Sequence, residues 1–573
     1  MSQLDITTYL NMVKKKEGIT PSTAIGDVIK RKAEKVGKKV FLTYIRDFDK
    51  AIEEKYTYKD MYIQSNRITN GLVKLGLKKG DGISVFEINS PEYLFSLFAV
   101  WKLGCYVVLV NTGLRGDGLQ YIIDHSDSKA FLLHWTLIDA YLNIKDNLPN
   151  IKHIIVDINE APPDFKLPDG TISLQSVMEA TDEDIEVEID PSAIAYLIYT
   201  SGTTGRPKAT SFFYGKTLMG DALAFMGLLA FAMGRPGDVF FTCLPLFHGN
   251  ALQLTTMPGY MMEWPVVLSK RFSASRFWDI IRKYKVTNFN LLGSMPQYLL
   301  KQPPKDSDKD NKVWRVNSAA CPKELIRDFE ERFDLKVYEG YGAVDGGGFF
   351  LGTYGRDAEN PPVGTMGKPA ENMIAEIMDD EDKIYSEPEN VGELVFLVKE
   401  EEKAQRQVKY YKDEAASKSL VQKGADGQLW FHTGDLATKD KDGWFFFVDR
   451  KKDSIRRRGE NIAAWSIERV INGHEKVLES AAYGIKSSQV GEDYAEDEVM
   501  VAVVLKPSET IAPDELLKFC EGKLATFQIP RFLEFVDKLP KSEVHRIMKR
   551  YLKDQGVSEK TYDREVGNFF KKG

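Results

Sequence analysis

Between residues 56 and 133, segments with helical periodicity alternate with short apolar segments typical of strands. The helices are predicted at 60–75, 91–103 and 119–125, and the strands at 82–87, 106–110 and 130–133. The strand at 106–110 is apolar throughout, which is typical of strands covered by helices on both faces. Similar alternation returns at 238–244 and 277–292. The pattern predicts an α/β fold with layered sheets.

From about residue 364 the pattern changes to shorter β-rich segments. Strands are predicted at 392–397, 429–432 and 444–448, and beyond them further elements at 465–471, 478–485, 498–505, 514–524 and 532–536. We predict a large N-terminal domain over 1–449, with a β-rich subdomain over about 364–449. A hinge at 450–453 and a small, mobile α+β domain over 454–573, a usual domain size, complete the prediction.

Length and charge narrow the function classes. The 573 residues carry 43% hydrophobic and 28% charged side chains, as in an ordinary globular protein of several domains. A net charge of -7 argues against a general nucleic-acid binder, although a local basic site stays open.

The cysteines and the apolar runs bear on location. Four scattered cysteines without a C-x-x-C pair argue against a disulfide framework and favour a reducing compartment, with the cytoplasm as the expected one. Residues 1–16 lack the apolar core of a signal peptide. The longest apolar run, 222–234, is shorter than the roughly 20 residues of a bilayer span. Residues 94–110, interrupted by Lys102, are interpreted as a buried helix and a strand.

The strongest local motif is Tyr-Thr-Ser-Gly-Thr-Thr-Gly-Arg-Pro-Lys at 199–208, directly after the apolar run 193–198. A strand that leads into such a loop can aim backbone N–H groups, hydroxyls and one lysine at phosphate oxygens. The motif is not Walker A, and G-x-G-x-x-G is absent, so a kinase or a dehydrogenase is disfavoured. We interpret it as a phosphate-binding loop, with a plain surface turn as the alternative.

An ordered series of further motifs follows this loop. They are Leu-Pro-Leu-Phe-His-Gly at 244–249, Tyr-Glu-Gly-Tyr-Gly-Ala-Val-Asp at 338–345, Val-Gly at 363–364, Gly-Glu-Leu at 392–394, Trp-Phe-His-Thr-Gly-Asp at 430–435, Asp-Arg-Lys-Lys-Asp-Ser-Ile at 449–455, Arg-Gly-Glu-Asn at 458–461 and Leu-Pro-Lys-Ser at 539–542. In these motifs and their order the chain resembles the AMP-forming adenylating enzymes, which include acyl-CoA synthetases, luciferases and peptide-synthetase adenylation domains. The tail, at 548–552 and 562–565, is most similar to the carnitine/crotonobetaine-CoA ligase branch, and fatty acyl-CoA synthetases are the next group considered.

The resemblance implies a carboxylate–CoA ligase that works in two steps. A carboxylate attacks the α-phosphate of ATP, which releases pyrophosphate and leaves an acyl-adenylate, and the thiol of coenzyme A then displaces AMP. Both steps gather negative charge, so cationic side chains, backbone donors and Mg²⁺ suit them and no protein nucleophile is required. The expected ligands are ATP or AMP, Mg²⁺, coenzyme A and a small carboxylic acid.

The resemblance also implies roles for individual residues. Nucleotide-binding roles fall on Thr200, Ser201, Gly202, Thr203, Thr204, Gly205, Lys208, Ser318, Ala319, Ala320, Gly340, Tyr341, Gly342, Ala343, Val344, Asp435, Phe447 and Arg450. Tyr341 is expected to stack on adenine, and Asp435 to accept hydrogen bonds from the ribose hydroxyls. A core tyrosine and a turn aspartate are the alternatives. Mg²⁺ is expected at Thr200 and Asp345.

The remaining roles concern catalysis, the thiol and the acid. Catalytic roles fall on Lys208, His248 and Arg546, the hinge on Lys452, and coenzyme A binding on Arg456, Arg457, Arg458 and Gly459. The acyl pocket is expected at Phe247, His248, Asn250, Leu292, Gly293, Gly346 and Gly347. A solvated basic face is the alternative for the arginines, and a structural histidine for His248.

Two positions depart from the family pattern. Val344 and Asp345 stand where the family usually has Thr and Glu, which removes a hydroxyl and shortens a carboxylate. Arg546 stands where the family has a catalytic lysine; it keeps the charge with a different reach. Lys549 as a substitute, or a weak forward reaction, are the rival interpretations.

Several alternatives stay open. The acyl group could pass to a carrier protein, or the chain could be a non-catalytic fatty-acid-handling protein with a peripheral membrane contact. The glycines at 346–348 favour a medium-chain, branched or cyclic acid, against the alternative of a glycine turn. The physiological direction and the oligomeric state, a homodimer among the options, are undetermined by the sequence.

Overall fold

The computed structural model divides into two compact units, residues 1–373 with 399–421 and residues 374–398 with 422–573. The residues that the structure describes are 6–20, 22–200, 207–219, 234–235, 237–293, 295–319, 321, 323–342, 350–353, 360–369, 373–398, 409–451, 455–457, 460–462, 464–486, 497–521, 523–525, 528–541 and 547–569.

The strands, in chain order, are β1 Val40–Asp47, β2 Ile52–Thr57, β3 Gly82–Phe86, β4 Tyr106–Leu109, β5 Ser128–His134, β6 His153–Asp157, β7 Thr171–Ser173, β8 Ile194–Thr200, β9 Lys208–Phe213, β10 Phe240–Thr242, β11 Val266–Ser269, β12 Asn288–Leu292, β13 Arg315–Ala319, β14 Val337–Glu339, β15 Tyr341–Gly342, β16 Phe350–Gly352, β17 Lys368–Pro369, β18 Ala375–Met378, β19 Gly392–Leu397, β20 Lys409–Tyr410, β21 Val421–Lys423, β22 Leu429–Lys439, β23 Phe445–Arg450, β24 Ile455–Arg457, β25 Glu460–Ile462, β26 Val477–Lys486, β27 Asp497–Leu505, β28 Phe532–Phe535, β29 Tyr562–Asp563 and β30 Asn568–Phe569.

The helices are α1 Ile6–Glu17, α2 Ile25–Val36, α3 Tyr58–Lys74, α4 Pro91–Lys102, α5 Gly116–His125, α6 Ile138–Leu142, α7 Leu174–Val177, α8 Tyr214–Thr217, α9 Gly249–Ala251, α10 Met257–Met262, α11 Phe277–Lys283, α12 Met295–Leu300, α13 Lys323–Phe333, α14 Glu414–Ser419, α15 Ala464–Asn472, α16 Pro513–Cys520 and α17 Lys549–Gln555. A π-helical turn spans Leu252–Thr256.

Two large sheets build the first unit. One has the order β20-β9-β8-β4-β3-β5-β6-β7, with parallel pairing from β8 to β7. The other has the order β14-β13-β12-β10-β11-β1-β2, parallel from β14 to β1. Every residue of β3, β4, β10 and β11 is buried, as expected for parallel strands covered on both faces. The α/β prediction is therefore confirmed.

Local capping signals fix the ends of the helices that cover these sheets. The hydroxyl of Thr57 accepts a hydrogen bond from the Asp60 N–H, and the Asp60 carboxylate accepts one from the Thr57 N–H, so α3 starts at Tyr58. The Ser90 hydroxyl accepts a hydrogen bond of 3.0 Å from the Tyr93 N–H at the start of α4, and Pro91 occupies its first turn. All residues of α4 are buried, and β4 follows it, which confirms the interpretation of 94–110.

The second unit is rich in antiparallel strands. β18, β19, β22, β21 and β23 form one sheet, and β24 and β25 form a hairpin. The last sheet has the order β26-β27-β28-β29-β30, and its core includes Ile467 and Ile471 of α15 and Leu516 of α16.

The units cut the chain differently from the predicted domain boundary at 449–450. The strands of the expected β-rich subdomain pair with one another and group with the C-terminal elements, whereas 399–421 groups with the first unit through the pairing of β20 with β9. The physical reason is that sheet pairing over long sequence distances, which chain order does not encode, decides compactness. The hinge at 450–453 stays a prediction.

The run at 222–234 lies outside the described residues apart from Gly234. Among the helices in the described ranges, none combines the length and the apolarity that a bilayer span requires.

Gly71 tests how tightly α3 packs. A Cβ at Gly71 would lie 2.3 Å from the carbonyl oxygen of Val177, whereas one at Gly118 in α5 would meet only Leu114 Cδ2 at 3.7 Å. We expect Gly71→Ala to lower the free energy of unfolding by about 1–3 kcal/mol, because the backbone of α7 must shift. Gly118→Ala, the control, should melt at or slightly above the wild-type temperature. Equal thermal midpoints for wild type and Gly71→Ala would contradict this packing.

Candidate functional site

The predicted adenine and acyl residues lie at the carboxyl edge of one parallel sheet. β10, β12, β13 and β14 are successive neighbours, so the chain leaves all four strands at the same edge. Leu292 lies opposite Ala319, and Ser318 lies opposite Glu339. Ligands of α/β proteins bind outside the carboxyl ends of the strands. The register thus brings together Leu292, Ser318, Ala319 and Gly340.

A buried carboxylate that the sequence analysis did not select supports this edge. Glu339 Oε1 accepts a hydrogen bond of 2.7 Å from the Cys321 N–H, and burial raises the pKa of Glu339 to about 7. The Gly340 N–H bonds the Ser318 carbonyl at 3.0 Å. Tyr341 follows and is half-buried, with its Cα opposite Leu351 in the small sheet of β15–β17. Glu339 could have been identified from the sequence, because it directly precedes the Gly-Tyr-Gly segment at the end of β14.

Two of the residues predicted for the acyl pocket, Phe247 and His248, follow β10 in the chain. The His248 ring lies 4.6 Å from the buried Phe247 ring, centroid to centroid. His248 Nε2 is buried and has no hydrogen-bond partner among the described residues. Burial lowers the pKa of His248 to about 4, so the imidazole is neutral at pH 7. A neutral imidazole nitrogen without a partner can accept or donate a hydrogen bond to a bound ligand.

Asn250 belongs to a polar network under this segment. Asn290 Nδ2 donates to Asn250 Oδ1 at 2.7 Å and to Thr255 Oγ1 at 3.0 Å. The chain here forms the π-helical turn, a feature frequent at functional sites. Leu292 and Gly293 leave β12 two and three residues after Asn290. Of the predicted acyl residues, Asn250 belongs to this network, and Leu292 and Gly293 lie at the end of the strand that carries Asn290.

The predicted phosphate loop connects two antiparallel strands. Thr200 ends β8 directly opposite Lys208, the first residue of β9, so the loop residues 201–207 connect these two positions. Lys208 Nζ lies 5.1 Å from the Tyr410 ring centroid and 3.9 Å from Asp413 Oδ2. Its side chain is 30% exposed. Tyr410 and Asp413 were not predicted to lie here, and they reach Lys208 only because β20 pairs with β9.

In the second unit, Asp435 and Arg450 are register partners on β22 and β23. Asp435 is 4% exposed, whereas Phe447, the partner of Ala437, is 43% exposed. The Asp435 N–H donates to Thr433 Oγ1 at 3.1 Å. The predicted ribose residues Asp435 and Arg450 thus stand side by side, and Phe447 offers an open aromatic side chain on the same strand as Arg450.

Glu393 of the Gly-Glu-Leu motif holds the turn before Asp435. Its carboxylate accepts a hydrogen bond of 2.9 Å from the Gly434 N–H and lies 3.3 Å from His432 Nδ1 and 3.2 Å from Lys451 Nζ. Burial by itself would raise the pKa of Glu393, but these partners lower it below its ordinary value. Gly434 adopts φ +70°, a region that favours glycine. No role for Glu393 was predicted from the sequence motif.

Arg457 was predicted to contact coenzyme A, but its side chain is buried. Its side chain is 1% exposed, and Nη2 lies 2.8 Å from Glu498 Oε2 inside the second unit. Nη1 donates to the Ile529 carbonyl at 3.3 Å. A guanidinium held this way has no open surface to offer a soluble phosphate, because Glu498 and the core surround it. The coenzyme A role of Arg456, Arg458 and Gly459 stays a prediction.

Lys549, the predicted substitute for Arg546, also pairs with an acidic side chain. Lys549 Nζ lies 2.9 Å from Glu468 Oε1, and the lysine side chain is 14% exposed. Glu468 in turn accepts a hydrogen bond from the Ala482 N–H at 2.8 Å. Lys549 thus links α17 to α15 and β26.

The other predicted site residues lie outside the described part of the chain. They are Ser201, Gly202, Thr203, Thr204, Gly205, Ala320, Ala343, Val344, Asp345, Gly346, Gly347, Lys452, Arg458, Gly459 and Arg546. At Thr200, Arg450 and Arg456 the structure describes the backbone and not the side chain.

Comparison with known families gives two matches in this chain. The family described as AMP-binding enzyme matches residues 29–398, and the AMP-binding enzyme C-terminal domain matches residues 466–546. The crotonobetaine/carnitine–CoA ligase of Salmonella heidelberg, strain SL476, is 30% identical over 509 residues, which cover 88% of this chain and 94% of that protein.

Two solved structures show the similarity of the fold. The anthranilate CoA ligase AuaEII, in complex with anthranoyl-AMP, superposes with a TM-score of 0.78 at 20% identity and covers 94% of this chain and 98% of its own. The O-succinylbenzoate coenzyme A synthetase MenE of Bacillus subtilis, in complex with ATP and magnesium ion, gives a TM-score of 0.73 at 24% identity, with 92% and 99% covered. Both likenesses confirm the predicted fold class.

The depressed pKa of Glu393 gives a test by pH. Stabilisation by this carboxylate is complete above its unfolded pKa of about 4.3 and is lost as the pH falls through the lower folded value. We expect Glu393→Gln to lower the free energy of unfolding at about pH 7 by about 1–3 kcal/mol, because the Gly434 turn loses a charged acceptor. The difference from wild type should shrink at about pH 3.5 in urea unfolding.

Asp380→Asn is the matched control for this measurement. Asp380 lies 3.2 Å from the same Lys451 amine but is 72% exposed, so its removal should change little. A Glu393→Gln protein whose unfolding midpoint follows that of the control at both pH values would contradict the role of Glu393.

Proposed function

This chain belongs to the family of AMP-binding enzymes, and we propose that within it the protein is an AMP-forming carboxylate–CoA ligase. ATP and a carboxylic acid give an acyl-adenylate and pyrophosphate, and coenzyme A then gives the acyl-CoA and AMP. The observation that carries the proposal is the similarity to a CoA ligase over 88% of the chain, through both family segments.

The hairpin of β8 and β9 binds the phosphates in this proposal. Thr200 and Lys208 are register partners at the two ends of the phosphate loop, and we assign both residues to the same polyphosphate. Tyr410 and Asp413 keep the lysine oriented until ATP competes for it. Lys208 then stabilises the charge that develops as pyrophosphate leaves.

Mg²⁺ is assigned to Thr200 and Asp345. A hydroxyl and a carboxylate are oxygen donors of the kind that this ion prefers, and Thr200 lies directly opposite the phosphate-binding Lys208. The ion neutralises phosphate charge when it is bound. In the sequence, Asp345 comes shortly after the residues at 340–342 that we assign to adenine.

Tyr341, Ser318 and Ala319 form the adenine side of the edge, and Phe247, His248 and Leu292 the acyl side. The buried Phe247 favours an apolar acyl group, while the Asn250–Asn290 pair fixes the shape of the segment behind it. We therefore place the acid among medium-chain, branched or cyclic carboxylic acids. Neutral His248 is available to hydrogen-bond the carboxylate or the incoming thiol.

In the second unit, Asp435 accepts hydrogen bonds from the ribose hydroxyls, and Arg450 adds a charged donor on the neighbouring strand. Glu393 holds the backbone that presents Asp435. Arg456, Arg458 and Gly459 are the residues we assign to coenzyme A, since Arg457 is paired with Glu498.

A reducing compartment, the cytoplasm, is the location we propose. Cys105, Cys243, Cys321 and Cys520 are all buried and free of disulfides. Burial raises the pKa of the Cys105 and Cys243 thiols to about 12, so they stay protonated.

Pyrophosphate release over a panel of acids tests the activity. We expect release with Mg²⁺-ATP and one class of medium-chain, branched, aromatic or cyclic acid, and thioester formation only when coenzyme A is added. Lys208→Ala should lower the rate of pyrophosphate release by about 100-fold. Lys412→Ala is the control, because that lysine pairs instead with Asp127 at 2.7 Å.

Three outcomes of the panel would overturn parts of the proposal. Tight acyl binding without pyrophosphate release would exclude an enzyme. Transfer to a carrier protein and not to coenzyme A would change the acceptor. A preference for an acid with a quaternary ammonium group would replace the proposed acid class with that of the Salmonella relative.

Arg546 is tested against Lys549 by separating the two chemical steps. Arg546→Ala should lower pyrophosphate release by about 10²–10³-fold, because it removes the charge that adenylation needs. AMP release from preformed acyl-adenylate and coenzyme A should persist. Lys549→Ala should spare adenylation and lower the melting temperature, since it breaks the pair with Glu468. The reverse pattern would assign the catalytic role to Lys549.

A further inference from the structure

Three chemistry-bearing side chains meet at the carboxyl edge of the other large sheet. β3, β5 and β6 are parallel neighbours, and Glu87 follows β3 while His134 and Asp157 end β5 and β6. One imidazole nitrogen and one oxygen from each carboxylate lie within 4.8 Å of one another. Glu87 is 1%, His134 4% and Asp157 1% exposed. This Glu87–His134–Asp157 cluster has no part in the proposed ligase reaction.

Glu87 is the unsatisfied member of the cluster. Neither of its carboxylate oxygens accepts a hydrogen bond from any residue in the described ranges, although the side chain is buried. Burial, followed by the negative charges of Asp157 and Glu92, raises the pKa of Glu87 well above its ordinary value. A buried carboxyl without a partner is costly, and a cation removes that cost.

The charged groups around the cluster do not supply this cation. Arg46 and Lys270 both pair with Glu160, and Arg46 also pairs with Glu54. Glu92 adds a further buried carboxyl, bonded to Asn159 Nδ2 at 2.7 Å. The surroundings therefore hold more carboxylates than cations.

The other two members are oriented from outside. Asp157 Oδ1 accepts hydrogen bonds of 2.8 Å from the Asn159 N–H and from Gln175 Nε2. His134 Nδ1 lies 2.7 Å from Thr136 Oγ1. Outer hydrogen bonds of this kind fix the ligands of protein metal sites.

We propose that Glu87, His134 and Asp157 bind one divalent first-row transition metal ion, with Zn²⁺ as the expected ion. An imidazole nitrogen with two carboxylate oxygens is a donor set that zinc accepts, and it leaves a further position for water. Mg²⁺ is a poorer match because it prefers oxygen ligands in octahedral geometry and keeps several waters. The ion joins the ends of three strands.

Metal retention by the full-length protein tests this site. The protein is stripped with a chelator, dialysed against Zn²⁺, and in a parallel sample Mn²⁺, with excess Mg²⁺ and no nucleotide, and its metal is measured by mass spectrometry. We expect about one Zn²⁺ per chain. Glu87→Gln and Asp157→Asn should each weaken binding by about 100-fold. His153→Gln, at the opposite end of β6, is the matched control and should retain the ion.

Two results would overturn the proposal. Wild-type protein that retains neither Zn²⁺ nor Mn²⁺ would exclude the site, and this outcome can be read without any variant. Equal retention by wild type and a folded Glu87→Gln or His134→Gln protein would place the ion elsewhere. A rise in the melting temperature of the wild type with Zn²⁺ that the Glu87→Gln and His134→Gln proteins lack would support the site independently of the stoichiometry.

Discussion

Parallel pairing of buried strands is the constraint on which the rest of this structure depends. Since both faces of β3, β4 and β10 are buried, a shift of one residue in register would place a different side chain at every strand end. The opposition of Leu292 to Ala319 and of Ser318 to Glu339 holds only in the observed register. The same strand register therefore determines both the packing of the sheet and the geometry of the site.

Buried charge is the second theme, and it is concentrated at strand ends and on the tail. Arg531 Nη2 lies 3.3 Å from Asp563, and Arg457 lies 2.8 Å from Glu498, so the tail residues around Asp563 close an ionic cluster in the second unit. The tail segment that resembled the carnitine/crotonobetaine branch thus has a structural role. Removing one partner of such a cluster leaves a buried charge exposed to a low dielectric, which is strongly destabilising.

Elements with a strong local pattern were predictable almost to the residue. The strand expected at 392–397 is Gly392–Leu397, and the element expected at 465–471 is the helix Ala464–Asn472. Helix starts were less predictable, because the Thr57 cap starts α3 at Tyr58, two residues before the start predicted at 60. Contacts across about two hundred residues, such as Tyr410 and Asp413 with Lys208, left no trace in the local pattern.

The sequence by itself determined the fold class, the family and the identity of the chemical groups, because periodicity and short motifs are local properties of the chain. Only the tertiary structure decided which charged side chains face solvent and which pair with other residues inside the protein. Arg457 shows the difference: its motif predicted a phosphate contact, but its strand lies where Glu498 can pair with it. Side-chain direction in a sheet depends on partners far away in sequence, and these are fixed only when the strands pair.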